Sequence, residues 1–163
     1  MLTVADVMTP KPVMTTPEET VGQALAAMRE RGISSVMVSP PAGAAAYGIV
    51  TMRDIIGKIV KEFGFDVLEA GNGRQGLEQL ERSGVVDVTL VDWHMPDMNG
   101  LEFVQAVRAQ SAYDGMKVMM ITSQTEVEPM AMALKAGANE YLMKPFTRDA
   151  MQMKLQILGI AGA

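Results

Sequence analysis

At 163 residues and a net charge of −5, with 48% hydrophobic and 20% charged residues, the chain has material for one packed domain, or one domain and a fragment. The lack of cysteine excludes disulfides and thiolate metal sites, no apolar run reaches membrane-spanning length, and no basic excess marks a nucleic-acid binder. Asp6 and Pro10 stand where a signal peptide needs its apolar core, so a cytoplasmic protein is expected, with no membrane partner and no nucleic acid.

In chain order, a short apolar segment at 4–8 gives way to TPKPVMTTP, whose prolines force extended or turning backbone. Thr16-Pro17-Glu18-Glu19 reads as a helix start, with Thr16 as cap and Val21, Ala24, Leu25 and Met28 at helical spacing before Gly32. Strands are predicted at 33–39 and 47–51, with a PPAGAAA loop between them, and a helix from Met52 to a stop at Gly64. Beyond it the alternation is regular: strands at 66–70, 86–92, 117–122 and 140–143, and helices at 73–82, 101–109, 126–136 and 147–158. Strands alternating with amphipathic helices specify a parallel sheet covered on both faces. The 16 methionines are read first as adaptable core filling and second as a pliable partner surface.

The stretch VTLVDWHMPDMNG, 88–100, organises the rest. Val88, Leu90 and Val91 form a buried strand, Asp92 is the first charge at its carboxyl end, and Pro96, Asn99 and Gly100 break the chain. Ligands of open α/β sheets collect beyond the carboxyl ends of strands, so Asp92 is placed for chemistry; a strand-terminating turn acid is the alternative. His94 reads as a loop residue and Trp93 as packing. Serine nucleophile motifs, zinc spacings and glycine-rich phosphate loops do not occur, and no enzyme is expected.

From Met52 onward the sequence resembles the receiver domain of two-component response regulators, of the chemotaxis-regulator type. DVLEAGNG resembles the second strand and the turn after it, VDWHMPDMNG puts Asp92 at the phospho-acceptor position, and MITS puts Thr122 at the hydroxyl that senses the phosphoryl group. In NEYLMKPF, Tyr141 matches the aromatic switch, and Lys144-Pro145 matches the lysine and its usually cis proline. The resemblance implies a flavodoxin-like, doubly wound parallel sheet of five strands, and an aspartate that attacks a phosphohistidine or a small phosphodonor. A histidine kinase or phosphotransfer protein would be the donor and a downstream protein the target. Receivers also carry an acidic pair ending their first strand to hold Mg2+, and here AAAYGIVT has none. Asp92 and the backbone carbonyl of His94 are left as a weakened magnesium site, with Asp54 the nearest other acid.

Residues 1–56 resemble instead one motif of the cystathionine-β-synthase (CBS) domain family, in VADVMTPKPVMTTPEETVGQALAAMRERGISSVMV followed by YGIVTMRDII. That resemblance implies a β-α-β CBS-like segment, with Thr51 and Asp54 contacting an ATP- or AMP-type adenosine nucleotide in a homodimer. Helix capping by Thr51 and Asp54 explains both residues without a ligand.

The expected organisation is a partial CBS-like segment over 1–46 and a receiver-like domain over 47–163, with 47–63 shared between the two patterns. The strand at 47–51 has two claimants, and the receiver is expected to win it because its sheet buries more apolar surface. The function expected is phosphorelay signalling through Asp92 with output by protein contact, impaired by the missing acids. The alternatives are an adenosine-nucleotide sensor and a phosphorylation-silent receiver that serves as an interaction surface. A natural fusion and an engineered chimera both fit this sequence.

Overall fold

Prolines 12 and 17 leave room for only a two-residue first strand, which the sequence pattern does not reveal. In the computed structural model, which describes residues 3, 6, 11–40, 42–43, 45–122, 127–144 and 146–160 (side chains of 127–129 apart), this is β1, Met14–Thr15. The apolar segment expected at 4–8 lies outside the described residues, as does Pro145. Helix α1, Val21–Arg31, starts later than the Thr16 signal suggests. Thr20 is its cap: the hydroxyl accepts from the Gln23 N–H, and Gln23 Oε1 accepts from the Thr20 N–H at 2.7 Å. That reciprocal pair satisfies two N–H groups of the helix start, and the Thr16–Glu19 stretch forms the turn before it. Gly32, at φ 62°, ends α1 in the left-handed conformation.

β2, Ser35–Val38, lies between β1, to which it is parallel, and β3, Gly48–Thr51, to which it is antiparallel, with Val36 opposite Val50. Ala24, Met28 and Val36 are buried in this part of the chain. The expectation that 47–51 joins the parallel sheet is not met. The β2–β3 hairpin closes across the short loop from Ser39 to Tyr47, whereas reaching β4 requires closure over 52–87, at greater entropic cost. β3 itself is thinly covered, with Ile49 59% exposed.

Helix α2, Met52–Glu62, follows β3 at once, and the chain divides into two compact units within it, Met1–Ile59 and Val60–Ala163. The second unit holds β4, Val88–Asp92, β5, Lys117–Thr122, and β6, Glu140–Met143, all parallel and in the order β4-β5-β6. Its helices are α3, Gly73–Ser83, α4, Gly100–Arg108, α5, Val127–Lys135, and α6, Arg148–Ile157, with a short 3-10 turn at Ser111–Tyr113. Because β5 is the middle strand, Val118 through Thr122 are all buried, as a continuous apolar run requires. The core gathers Val91, Val104, Val107, Val118 and Met120. Met116, Met119 and Met151 are also fully buried, so core filling accounts for much of the methionine content.

The strand expected at 66–70 does not form, and Leu68 there is 53% exposed. A strand needs a neighbour for its backbone groups, and the segment that would supply one, β3, is hydrogen-bonded to β2. In place of the expected five-stranded sheet, the second unit has three parallel strands and the first unit has its own three-stranded mixed sheet. Among the described residues no helix is long and apolar enough to cross a membrane.

Candidate functional site

The carboxyl ends of β4, β5 and β6 bring three of the sequence-predicted residues to one rim. Register pairs Asp92 with Ile121 and Thr122 with Met143, so Asp92 and Thr122 end neighbouring strands and Lys144 follows the third. The Lys144 N–H donates to the Thr122 carbonyl at 2.7 Å, which carries the strand pairing to the lysine itself. Its ammonium forms an ion pair with Asp92 Oδ2. The other carboxylate oxygen, Oδ1, accepts from the His94 backbone N–H at 3.2 Å. Asp92 is therefore held at both oxygens, by a cation on one side and a peptide dipole on the other, while its side chain stays 38% exposed. Thr122 is buried to 2% exposure.

Tyr141 lies one strand over, half-buried against the core, opposite Met120 in register. Lys154 from α6 sets its ammonium 5.0 Å from the Tyr141 ring centre and also binds Glu140 Oε1 at 2.9 Å. Trp93 packs against the core, as expected.

The chain leaves β4 through a tight return. Gly100 donates its N–H to the Trp93 carbonyl at 3.1 Å and opens α4, and a Cβ there would run into the Asp92 carbonyl and Met120. Asn99 caps α4 in a reciprocal pair with Glu102, at 3.0 and 2.8 Å. Sequence reasoning overlooked Arg108 at the other end of α4. Its guanidinium donates to the carbonyls of Gly137, Tyr113 and Met116 and to Asn139 Oδ1, each at 2.9 Å, and so fixes the loop that leads into β6 and Lys144. Only the pairing of Arg with a downstream Gly-x-Asn turn hints at this in the sequence.

Thr51 and Asp54 belong to the first unit and serve each other. The Thr51 N–H and hydroxyl donate to Asp54 Oδ2 at 2.8 and 2.6 Å, and the Asp54 N–H returns to Thr51 Oγ1 at 3.3 Å. This caps α2, and the two donors from Thr51, its hydroxyl foremost, hold the Asp54 carboxyl below the usual carboxylate range.

A magnesium ion takes six oxygens in near-octahedral order. Among the described residues no three of His, Asp and Glu gather around one point, and the one carboxylate at the rim, Asp92, is paired with an ammonium. The donor set does not fit a dedicated divalent-cation site.

Comparison with known proteins places these features. The response regulator receiver domain model matches residues 49–156 and the CBS domain model residues 4–61, so 49–61 fall within both. The chain is 42% identical over 111 residues to a chemotaxis protein CheY homolog of Campylobacter jejuni, covering 67% of this chain and 85% of that protein. Among solved structures, Vibrio cholerae CheY4 matches with a TM-score of 0.62 and 33% identity, over 66% of this chain and 88% of its own. The receiver domain of the Pseudomonas aeruginosa sensor histidine kinase PA1611, with a magnesium ion coordinated in its active-site cleft, matches with a TM-score of 0.59 and 26% identity, over 66% and 88%. The fold shared with these neighbours is the flavodoxin-like α/β one.

Proposed function

Because this chain belongs to the response regulator receiver family, we propose that it takes part in two-component signalling by accepting a phosphoryl group on Asp92 and presenting the altered surface near Tyr141 to a protein partner. The observation that carries this reading is the convergence of Asp92, Thr122 and Lys144 from three strand ends, with the lysine on the carboxylate.

In the transfer, a carboxylate oxygen of Asp92 attacks phosphorus, a P–O bond forms, and the P–N bond to a donor phosphohistidine breaks, its imidazole leaving as the neutral ring once protonated. Lys144 balances the charge delivered to the rim, and the Thr122 hydroxyl is the donor for a phosphoryl oxygen. Receivers exchange phosphoryl groups with histidine kinases or phosphotransfer proteins, and that class is the donor here. Magnesium, for which Asp92 and the His94 carbonyl are the remaining oxygens, supplies charge neutralisation in receivers that hold it; with a single carboxylate, transfer here is slow. The lack of an acidic pair is what impairs it.

The adenosine-nucleotide reading has the CBS match in its favour, but Thr51 and Asp54 are both spent on capping α2. Incubation with a phosphohistidine phosphotransfer protein tests the main reading: transfer of label to the chain, absent in Asp92→Asn, supports it. A folded chain that takes no label from several such donors leaves the silent-receiver reading.

A further inference from the structure

The loop that carries the rim of the site is seated on the first turn of α3. Asn72 Nδ2 donates to Asp97 Oδ2 at 2.8 Å while Asn72 Oδ1 accepts from the Gln75 N–H at 2.9 Å, so one side chain both caps the helix and holds the loop. Asp97, at φ 65°, is the one non-glycine residue with positive φ among the described residues. That left-handed conformation is strained for a residue with a side chain, though Asp and Asn tolerate it better than most, and it persists where neighbouring contacts hold it. Next to Asn72, Gly73 is buried, and a Cβ there would lie 2.7 Å from Met98 Cγ and 3.0 Å from the Met98 carbonyl oxygen. Helix and loop meet with no room for a methyl group. From this seat the loop runs back to His94, whose N–H holds Asp92 Oδ1.

We propose that Asn72, Gly73 and Asp97 are positioning residues for phosphoryl acceptance: they set the loop so that the His94 N–H holds Asp92 Oδ1, which fixes the orientation of the carboxylate toward the donor. The role in transfer rests on the receiver reading given above, whereas the orientation of the loop does not. Lys144 holds Asp92 Oδ2, and the loop, through the His94 N–H, holds Oδ1, so between them they set the orientation of the carboxylate.

Two substitutions separate the tether from ordinary structural roles. Asn72→Asp keeps a good helix cap but cannot donate to Asp97, and sets two carboxylates against each other. Asp97→Gly relieves the positive φ while deleting the acceptor, and Asp97→Asn keeps both the backbone preference and the bond. The measurements are the His94 amide resonance in a proton–nitrogen correlation spectrum and the rate of acyl-phosphate formation with phosphoramidate. Asn72→Asp and Asp97→Gly should both move the His94 resonance toward its non-hydrogen-bonded position and slow acyl-phosphate formation about tenfold, with Asp97→Asn close to wild type in both. A His94 resonance unmoved by Asn72→Asp and Asp97→Gly overturns the proposal. If the unaltered chain forms no acyl phosphate, the receiver reading fails by itself, and the resonance still decides the positioning claim.

Discussion

Lys144 Nζ and Asp92 Oδ2 form an ion pair between residues 52 apart in sequence, from the ends of two strands that never touch, β6 and β4, with β5 between them. Such a bridge forms only if the three strands are in register, so the pair reports on the sheet as well as on the chemistry. A partly exposed ion pair contributes about 1 kcal/mol or less to stability. Lys144→Ala should therefore leave the urea midpoint almost unchanged, yet slow acyl-phosphate formation about a hundredfold, the scale on which a single charge-stabilising donor acts. Lys144→Arg should restore only part of the rate, because a planar guanidinium does not reproduce a point ammonium.

β4 should exchange its amide hydrogens in alternation. Lys117 donates to the Asp87 carbonyl and Trp93 to the Ile121 carbonyl, so odd-numbered residues of β4 face β5, while Val88 and Leu90 turn their backbone groups to the side on which no strand pairs with β4 among the described residues. Native-state exchange should show Thr89 and Val91 slow and Val88 and Leu90 fast. Uniform protection along β4 would mean that another strand covers that edge.

Thr51 and Asp54 give the first unit a pH-dependent element. Thr51→Ala removes a cap and should cost about 1 kcal/mol in denaturant unfolding. The Asp54 carboxyl is held below its ordinary value in the folded chain, chiefly by the Thr51 hydroxyl. Its contribution is therefore complete above the unfolded value, near pH 4, and is lost as pH falls through the lower folded value. An acid titration of stability should fall in that window for the unaltered chain and less so for Asp54→Asn. With both groups occupied by each other, millimolar AMP or ATP should leave the melting temperature where it was.

Arg108→Ala should be the most damaging single change outside the apolar core. It takes the Arg108 donor from the Gly137 and Met116 carbonyls, while the Tyr113 carbonyl and Asn139 Oδ1 keep the N–H groups of Met116 and Val118, and its loss should cost roughly 2 to 4 kcal/mol. Arg108→Lys should recover little, since one ammonium cannot reach acceptors laid out for a planar fork.

Where the apolar pattern is continuous, the sequence is legible to the residue: β5 falls at 117–122 as predicted, because a buried strand leaves no polar break to misread, and the half-buried β6 falls at 140–143, also as predicted. Asp92 is legible as the first charge where an apolar run stops, whereas Thr122 and Lys144 join it in the sequence only through the resemblance to receivers. What misleads is competition. The side on which Tyr47–Thr51 pairs depends on which loop closes more cheaply, and the fate of 66–70 depends in turn on that choice; neither is encoded in local pattern. Thr16 reads as the cap of α1, but Thr20 takes that place because Gln23, three residues beyond it, completes the reciprocal pair. Arg108 and the Asn72–Asp97 tether are exposed or half-exposed polar groups that only long-range geometry makes important.

Asp92 should accept a phosphoryl group despite the missing acids, and intact-mass spectrometry after incubation with acetyl phosphate decides whether it does. The prediction is a slow gain of one phosphoryl group, reversed by hydroxylamine, absent in Asp92→Asn and little altered by adding magnesium. A folded chain whose mass does not change under these conditions, or one phosphorylated equally well as Asp92→Asn, would contradict it.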